Sequence, residues 1–311
     1  MCSSDLLGLV SLDKERQFAN YKLWLDSNYH AGMDFMERNL HCREDPRQLL
    51  PQASAAIILG FPYFQGKKKP IFDGTPEIAQ YASLRDYHKF IRKKAEEFWH
   101  ELSRESANAW PYRVTVDSAP LLEKALAAKT EEGFIGKNSL FIHPDRGSFF
   151  LLAEVLCCLE LEFDRKIQVN PKTRTKLGGC GTCRRCQVHC PTGALSKDYI
   201  LDANKCIAYY TIEHRGPIPV EFWQGLKRYF FGCDICQLVC PYNKTSEVVD
   251  LAGLKKSGFP RLSEIALMDQ KQYEEWFGGT PMTRAKKDGL RRNSIICMVV
   301  NHDPEIGRAH V

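Results

Sequence analysis

Two runs of closely spaced cysteines constrain this 311-residue chain more than any other feature of its sequence. The first run has the spacing C-x2-C-x2-C-x3-C-P and consists of Cys180, Cys183, Cys186, Cys190 and Pro191. Bacterial ferredoxins bind [4Fe–4S] clusters with this pattern. Three thiolates spaced two residues apart lie on one tight loop and can bind three corners of a cubane. The fourth turns away with its proline and is therefore expected to bind a second cluster.

The second run is shorter and ends in the same Cys-Pro pair. It consists of Cys233, Cys236 and Cys240, and it lacks the first cysteine of a complete run. Cys206, which precedes Cys233 across an insertion of about 26 residues, supplies the missing thiolate. If each run gives its last cysteine to the other cluster, two ligand sets follow. They are Cys180, Cys183, Cys186 and Cys240 for one cluster, and Cys190, Cys206, Cys233 and Cys236 for the other.

Zinc and disulfides are the alternative uses of these cysteines. An isolated C-x2-C pair usually indicates zinc, but two runs that both end in Cys-Pro favour iron–sulfur clusters. The N-terminus shows neither a basic segment followed by an apolar one nor a twin arginine, so we predict no secretory signal. We therefore expect metal-bound thiolates in a cytoplasmic protein. Ordinary thiols are expected at Cys2, Cys42, Cys157, Cys158 and Cys297.

The pattern of apolar residues predicts an α+β fold with three parts. Hydrophobic residues make up 44% of the chain and charged residues 26%, which is typical of globular domains, and no apolar run is long enough for a membrane span. We predict an N-terminal α/β layer domain over residues 1–165, a ferredoxin-like module with two [4Fe–4S] clusters over residues 166–245, and a helical segment over residues 246–311. The basic stretch Asp164–Lys176 is the predicted linker.

Within the first part, apolar periodicity and turn residues predict individual elements. Residues 1 to about 50 are expected to be helical. The further predictions are a buried strand over Ala53–Phe64, a helix over Asp86–Leu102, a strand over Arg113–Asp117, a helix over Leu121–Glu132, and a hairpin over Ser139–Cys158.

Several motifs outside the cysteine runs give the chain a resemblance to a known family. They are Arg43-Glu-Asp-Pro46, Tyr81 to Lys89, Val116-Asp117-Ser118-Ala119-Pro120-Leu121-Leu122-Glu123, Gly133 to Ser139, Gly147 to Phe150, Cys206 to His214, and Gly232-Cys-Asp234. Together with the cysteine runs, they make the chain similar to epoxyqueuosine reductases from about residue 10 to about residue 300.

The resemblance implies an activity, cofactors and partners. Epoxyqueuosine reductases finish queuosine at the wobble position of tRNA, and a base-off cobalamin lies between their N-terminal domain and the cluster module. The clusters reduce the cobalt, which delivers electrons to the epoxide. For this chain the resemblance implies a tRNA substrate. We also expect a low-potential electron donor of the flavodoxin or ferredoxin type, no membrane partner and a monomeric state.

Asp117 is the proton donor that the resemblance implies, because it is the aspartate of the V-D-S-A-P motif. A carboxyl group that protonates a leaving oxygen near neutral pH needs a raised pKa, which we expect an enclosed apolar setting to provide. The alternative is that Asp117 caps the helix that follows. The residues expected to contact cobalamin are Arg43, Tyr81, Asp117, Lys137, Asn138, Ser139, Ser148 and Asp234.

Histidine ligation of cobalt is not expected. The Asp-x-His-x-x-Gly signature begins at Asp86 and His88 but has Ile91 in place of glycine, so His88 is interpreted as a hydrogen-bonding core or surface residue. Four basic clusters are candidate contacts to tRNA phosphates. They are Lys67–Lys69, Lys89 with Arg92–Lys94, Arg165–Lys176, and Arg284–Arg292.

Two other function classes compete with this interpretation. A reductive dehalogenase shares cobalamin and paired clusters but usually carries a twin-arginine signal, and a plain electron carrier would need no large N-terminal part. The C-terminus is expected to be truncated: Gly289–Met298 resembles the first helix of a helical repeat, and Glu305–Val311 back-translates to a sequence that resembles a sequencing adapter.

Overall fold

The structure is a computed structural model that describes residues 5–66, 73–75, 77–106, 110–159, 178–250, 254 and 258–310. The predicted linker and the basic clusters Lys67–Lys69 and Arg165–Lys176 lie outside these residues. No helix among the described residues has both the length and the apolar character that a membrane span requires.

A four-stranded antiparallel sheet forms the centre of the N-terminal half. The strands are β1 (Asp5–Ser11), β2 (Ala55–Pro62), β3 (Tyr112–Thr115), β4 (Phe134–Ile135), β5 (Phe141–Ile142) and β6 (Phe150–Cys157). The order in the main sheet is β1-β2-β6-β3, and β4 pairs with β5 in a separate small sheet. The predicted strands around β2 and β3 are confirmed.

Helices cover both faces of this sheet because its central strand β2 is apolar on both sides. The helices are α1 (Phe18–Asp26), α2 (Leu40–Glu44), α3 (Tyr87–Ser106), α4 (Glu123–Lys129), α5 (Arg185–Val188), α6 (Ile207–Ile212), α7 (Ile235–Leu238), α8 (Leu262–Leu267), α9 (Gln270–Phe277) and α10 (Lys286–Val300). Ile91 and Trp99 of α3 pack on the face that contains Ile57. Leu126 of α4 packs on the opposite face with Ile58.

Two expectations for the N-terminal half were wrong. The first 50 residues are not all helical, since β1 pairs with β2 along the edge of the sheet. The hairpin predicted over Ser139–Cys158 forms only at its turn, where His143 and Gly147 pair in an antiparallel bridge. Its two predicted strands do not pair with each other: β5 pairs with β4, whereas β6 enters the main sheet between β2 and β3. Local sequence was compatible with both pairings, and the packing of β6 between two strands distant in sequence decides between them.

The C-terminal helices share a core with the cysteine-rich part. Phe230 and Phe231, which lie just before the second cysteine run, pack with Leu262, Leu290 and Met298. The helix α10 therefore buries its apolar side against α8 and the 3-10 segment Val220–Lys227. The predicted helical character of this region is confirmed.

A buried polar contact joins the two halves at Gly147 and Ser148. Asn243 accepts a hydrogen bond from the Ser148 backbone N–H at 2.6 Å and donates to the Ser148 hydroxyl at 3.0 Å. Gly147 has φ +78°, and an added Cβ would lie 1.9 Å from Asn243 Oδ1. Only glycine therefore permits this close approach.

Replacing Gly147 should test this contact. Gly147→Ala combines a disfavoured backbone conformation with a steric clash, so it should destabilise the protein by about 3 kcal/mol or more in urea unfolding of the reconstituted protein. Gly216→Ala is the matched control, because Gly216 has φ +88° and open space where an added Cβ would lie. It should lose only about 1 to 2 kcal/mol. Equal losses in the two variants would contradict the close contact.

Candidate active-site cleft and cysteine module

Asp117 lies in a strained turn directly after β3. Its φ of +52° places it in the left-handed region that few non-glycine residues adopt. The alternative function as a helix cap is wrong, because α4 begins at Glu123 after Leu122 and has no side-chain cap. Strain of this kind is retained where the surroundings hold a residue in place, and it is frequent at functional sites.

The start of α3 supplies the hydrogen-bond partners of Asp117. The Tyr87 hydroxyl donates to Asp117 Oδ2 at 2.9 Å, and His88 Nε2 lies 3.2 Å from the same oxygen. On its other side, His88 Nδ1 lies 3.1 Å from Asp86 Oδ1. The Tyr87 and His88 rings stack with centroids 4.2 Å apart. Asp86, His88 and Asp117 thus form a continuous hydrogen-bonded line.

This line corrects the expected protonation of Asp117. The hydrogen bond from His88 lowers the pKa of the Asp117 carboxyl, and its effect exceeds the desolvation that acts in the opposite direction. The hydrogen bond to Asp117 likewise raises the pKa of His88. Both shifts favour the ion pair in which the proton is on His88 and not on Asp117.

Asp117 is open to solvent although protein surrounds it. Its side chain is 60% exposed, and desolvation by the surrounding protein still opposes the lowering of its pKa by His88. Lys124 is also exposed, and its pKa is lowered by desolvation. A group that is open to solvent and still surrounded by protein is expected on the wall of a cleft.

Two acidic side chains, Glu154 and Glu123, interact with the charge of Asp117. Glu154 of β6 is fully buried and accepts a hydrogen bond from the Thr115 hydroxyl at 2.7 Å. Burial raises the pKa of Glu154 to about 7, and burial together with the charge of Glu154 raises the pKa of Glu123. A raised pKa keeps part of this acidic group neutral near pH 7.

The first set of cysteines surrounds one pocket. Cys180, Cys183, Cys186 and Cys240 line a cavity of about 210 Å³. The Lys137 backbone N–H donates to Cys180 Sγ at 3.3 Å. The geometry brings together the four thiols that sequence spacing had grouped, including one from the distant second run.

The second set also converges. Burial is the largest cause of the raised pKa of Cys233, and the neighbouring charges that add to it are Cys206, Asp234 and Cys190, in this order. The pKa of Cys236 is raised by burial first and then by Cys233 and Cys206. Within the described residues no three metal-binding side chains converge on a single metal ion. A cubane cluster does not require ligands that converge on one ion, because each of its four thiolates binds a different iron atom.

Most residues expected to contact cobalamin already have partners within the protein. The Lys137 ammonium is buried and lies 3.0 Å from Asp198 Oδ2. Asn138 Nδ2 donates to the Cys236 carbonyl at 3.4 Å, and Asp234 Oδ2 accepts from the Gln80 backbone N–H at 2.7 Å. These contacts attach the cysteine module to the N-terminal half.

The other expected cofactor residues lie nearer to Asp117 or to the surface. Tyr81 packs edge-on against Tyr87, and burial raises its pKa with a further contribution from Asp117. Arg43 is buried and directs Nη1 toward the Leu121 carbonyl at 3.5 Å. The Ser139 hydroxyl donates to the Tyr199 carbonyl at 3.0 Å.

The sequence did not predict that Tyr87 and His88 contact Asp117. Both belong to the stretch from Tyr81 to Lys89 that carried the resemblance, which was the available signal. Their contact with Asp117 spans about 30 residues of sequence and depends on how α3 packs against β3.

Comparisons with known proteins identify the family. Residues 43–118 match the family profile described as "Epoxyqueuosine reductase QueG, DUF1730", and residues 179–243 match "4Fe-4S double cluster binding domain". The chain is 36% identical over 285 residues to epoxyqueuosine reductase of Cyclobacterium marinum, with 90% of this chain and 87% of the relative covered.

Solved structures agree with this assignment. An epoxyqueuosine reductase bound to an epoxyqueuosine-modified tRNA-Tyr stem loop superposes with a TM-score of 0.81 at 27% identity, over 97% of this chain and 79% of the other. A Bacillus subtilis epoxyqueuosine reductase, in which a catalytic aspartate loop is swung out of the active site, gives a TM-score of 0.80 at 26% identity, over 96% and 78% of the two chains. The strained aspartate, the double-cluster module and these likenesses together show that the chain belongs to the epoxyqueuosine reductase family.

Proposed function

We propose that this chain reduces epoxyqueuosine to queuosine at the wobble position of tRNA, with electrons supplied through two [4Fe–4S] clusters and a cobalamin. The observation that carries the proposal is the exposed, hydrogen-bonded carboxyl group of Asp117, which acts on Lys124 together with Cys236 of the cysteine module. Membership of the family supports the substrate.

We propose two ligand sets because the thiols within each set lie close together. The first cluster is proposed to bind Cys180, Cys183, Cys186 and Cys240, and the second Cys190, Cys206, Cys233 and Cys236. The charge of Cys186 also acts on Cys236, so the sets adjoin. Cys236 in turn interacts with Lys124 on the cleft wall. Electrons would therefore pass from the first cluster to the second and then to the cleft.

The cleft has features that suit a bound cofactor. Arg43 Nε is a buried donor without a hydrogen-bond partner among the described residues, and Lys124 is exposed within the concave wall. We propose that Asp117, Tyr81 and Lys124 face the corrin, and that Lys137, Asn138, Ser139, Ser148, Asp234 and Arg43 form or support its surroundings. Base-off cobalamin would supply a cobalt centre that accepts electrons singly.

Reduction of the epoxide to an alkene consumes two electrons and two protons and releases water. The epoxide oxygen must be protonated as it leaves, and Asp117 is the proposed donor. The Tyr87 hydroxyl holds the carboxyl group in position through its hydrogen bond. The left-handed backbone conformation of Asp117 also fixes the direction in which its side chain leaves the turn.

The surroundings of the cleft suit a nucleic-acid substrate in part. Lys93 on α3 is 76% exposed and can contact phosphates. Arg284 instead pairs with Glu213 at 2.8 Å, and Arg292 donates to the carbonyls of Tyr210 and Gly216.

We propose that the enzyme is monomeric and cytoplasmic and that its electron donor is of the flavodoxin or ferredoxin type. We also propose that the boundaries between the three parts of the chain lie near residues 165 and 245.

Turnover of a modified anticodon stem loop tests the proposed function. The chain, reconstituted anaerobically with iron, sulfide and cobalamin, should convert epoxyqueuosine in the stem loop to queuosine, which lowers the nucleoside mass by one oxygen. Mass spectrometry of the digested RNA measures the conversion. Dehalogenation of a small organohalide without any change to the RNA would contradict the proposal and favour a reductive dehalogenase.

Replacement of Asp117 tests its proposed role as proton donor. Asp117→Asn keeps the size of the side chain but removes the transferable proton, so turnover should fall by about 10²-fold or more. Iron content and cobalamin binding should match wild type. Asp250→Asn, in a region distant in sequence from the cleft motifs, is the control and should retain activity. Wild-type turnover by Asp117→Asn would remove Asp117 from the reaction.

Replacement of Cys206 tests the assignment of ligands. Cys206→Ser should destabilise one cluster, so that iron falls from about eight to about four atoms per chain. Cys158→Ser replaces a cysteine outside the module and should keep the full iron content. The measurement is iron and sulfide analysis together with the EPR signal of the reduced protein. Full iron content in Cys206→Ser would refute this ligand set.

A further inference from the structure

We propose that His88 loads Asp117 with the proton that Asp117 donates, and that Asp86 orients His88 for this transfer. The inference rests on the proposed function and deepens it. It assigns a proton-supplying role to a residue that does not itself contact the epoxide, since His88 acts through Asp117.

The geometry provides a direct path for the proton. His88 Nε2 and Asp117 Oδ2 are 3.2 Å apart, within hydrogen-bond distance. Asp86 Oδ1 lies 3.1 Å from Nδ1 and fixes the ring orientation, as does stacking on Tyr87. The His88 side chain is 38% exposed, so the ring can exchange protons with water. The line therefore runs from solvent to the carboxyl group on the cleft wall.

The ion pair explains how a carboxyl group with a lowered pKa can become a proton donor. In the open cleft, water stabilises the charged pair of His88 and Asp117. When a bulky cofactor and a nucleobase cover the carboxyl group, they remove this water. Loss of water disfavours charged groups, so the neutral pair becomes more favourable and the proton moves from His88 to Asp117. Substrate binding would thus load the donor.

The relay balances for one of the two protons that the reduction consumes. The N–H bond at Nε2 of the imidazolium breaks and an O–H bond forms on Asp117, which leaves a neutral imidazole protonated at Nδ1 toward Asp86. Asp117 then passes this proton to the departing oxygen. The imidazole takes a new proton from water at Nε2. No oxidant or reductant takes part in these transfers.

Other charged groups around the line modulate the transfer. Asp86 and Asp117 are the charges that act on His88. Arg284 lowers the pKa of Asp117, and Asp117 in turn acts on the groups that surround it. These groups are Tyr81, Tyr87, Glu123, Lys124, Glu154 and Arg284. The pH dependence of His88 is therefore best isolated by changing Asp117 or Asp86 singly.

The first experiment measures the pairing without turnover. NMR titration of the full chain, labelled at histidine nitrogens and reconstituted with clusters, should show His88 titrating above its ordinary value of about 6.5. The His88 signal is assigned by its disappearance in His88→Gln. In Asp117→Asn the midpoint should move to lower pH. An identical midpoint in wild type and Asp117→Asn would overturn the proposal.

The second experiment measures the consequence for the reaction. His88→Gln keeps a hydrogen-bond donor near Asp117 but cannot release a proton, so single-turnover reduction at pH 7 should slow by about 10²-fold. The wild-type rate should fall as pH rises through the pKa of His88, because the imidazolium is lost. Asp86→Asn should move this fall to lower pH, and His88→Gln should remove it.

His100→Gln is the matched control. His100 lies on the same helix, contacts the Tyr112 hydroxyl at 3.2 Å, and has no contact with Asp117. This variant should keep the wild-type rate and pH profile. Equal rates and profiles in wild type and His88→Gln would overturn the relay while the proposed function stands. If wild type itself fails to reduce epoxyqueuosine, the proposed function fails, and the NMR titration still decides whether His88 and Asp117 form the pair.

Discussion

Buried hydrogen bonds between the cysteine module and the N-terminal half determine where the predicted clusters lie relative to the cleft. Asn243 contacts Ser148, Asn138 contacts the Cys236 carbonyl, and Asp234 contacts the backbone of Gln80. The side chains of Asn243, Ser148, Asn138 and Asp234 are buried. Breaking one of their bonds would leave an unsatisfied group at a cost of about 1 to 3 kcal/mol. The contacts therefore specify one relative position of the two halves. Electron transfer into the cleft depends on that position.

The same position brings opposite chemical requirements together at Asp117. The cysteine module holds thiols that are partly or fully buried, whereas a proton donor needs exchange with water. The structure meets the second requirement through α3, whose first residues bring Tyr87 and the partly exposed His88 to the carboxyl group. Glu123 and the buried Glu154 add acidic groups whose charges interact with it. Asp117 is thus exposed to water while a buried acid lies close to it.

Sequence predicts well what depends on local spacing. The grouping of Cys180, Cys183 and Cys186 follows from the tight loop that joins them, and the convergence of Cys240 with this group follows the ferredoxin pattern. The strand β2 was also predictable, because a continuous apolar run bounded by Gly60 and Pro62 is typical of a strand buried on both faces.

Contacts between distant segments could not be predicted in the same way. The pairing of β6 with β2 and β3 depends on competition among several apolar strands. The contact of His88 with Asp117 joins residues 29 positions apart and reverses the expected protonation of the carboxyl group. The sequence around His88 does not indicate that Asp117 lies nearby, and the sequence around Asp117 does not indicate His88. The pair forms only when α3 packs on the sheet.

The most direct test of the account is EPR spectroscopy of cobalamin bound to the reconstituted chain, because the central claim is that a base-off corrinoid lies next to the second cluster. The account predicts a Co(II) signal without nitrogen splitting, whose relaxation becomes faster when the clusters are reduced. A signal with nitrogen splitting, or one whose relaxation is unaffected by reduction of the clusters, would contradict it.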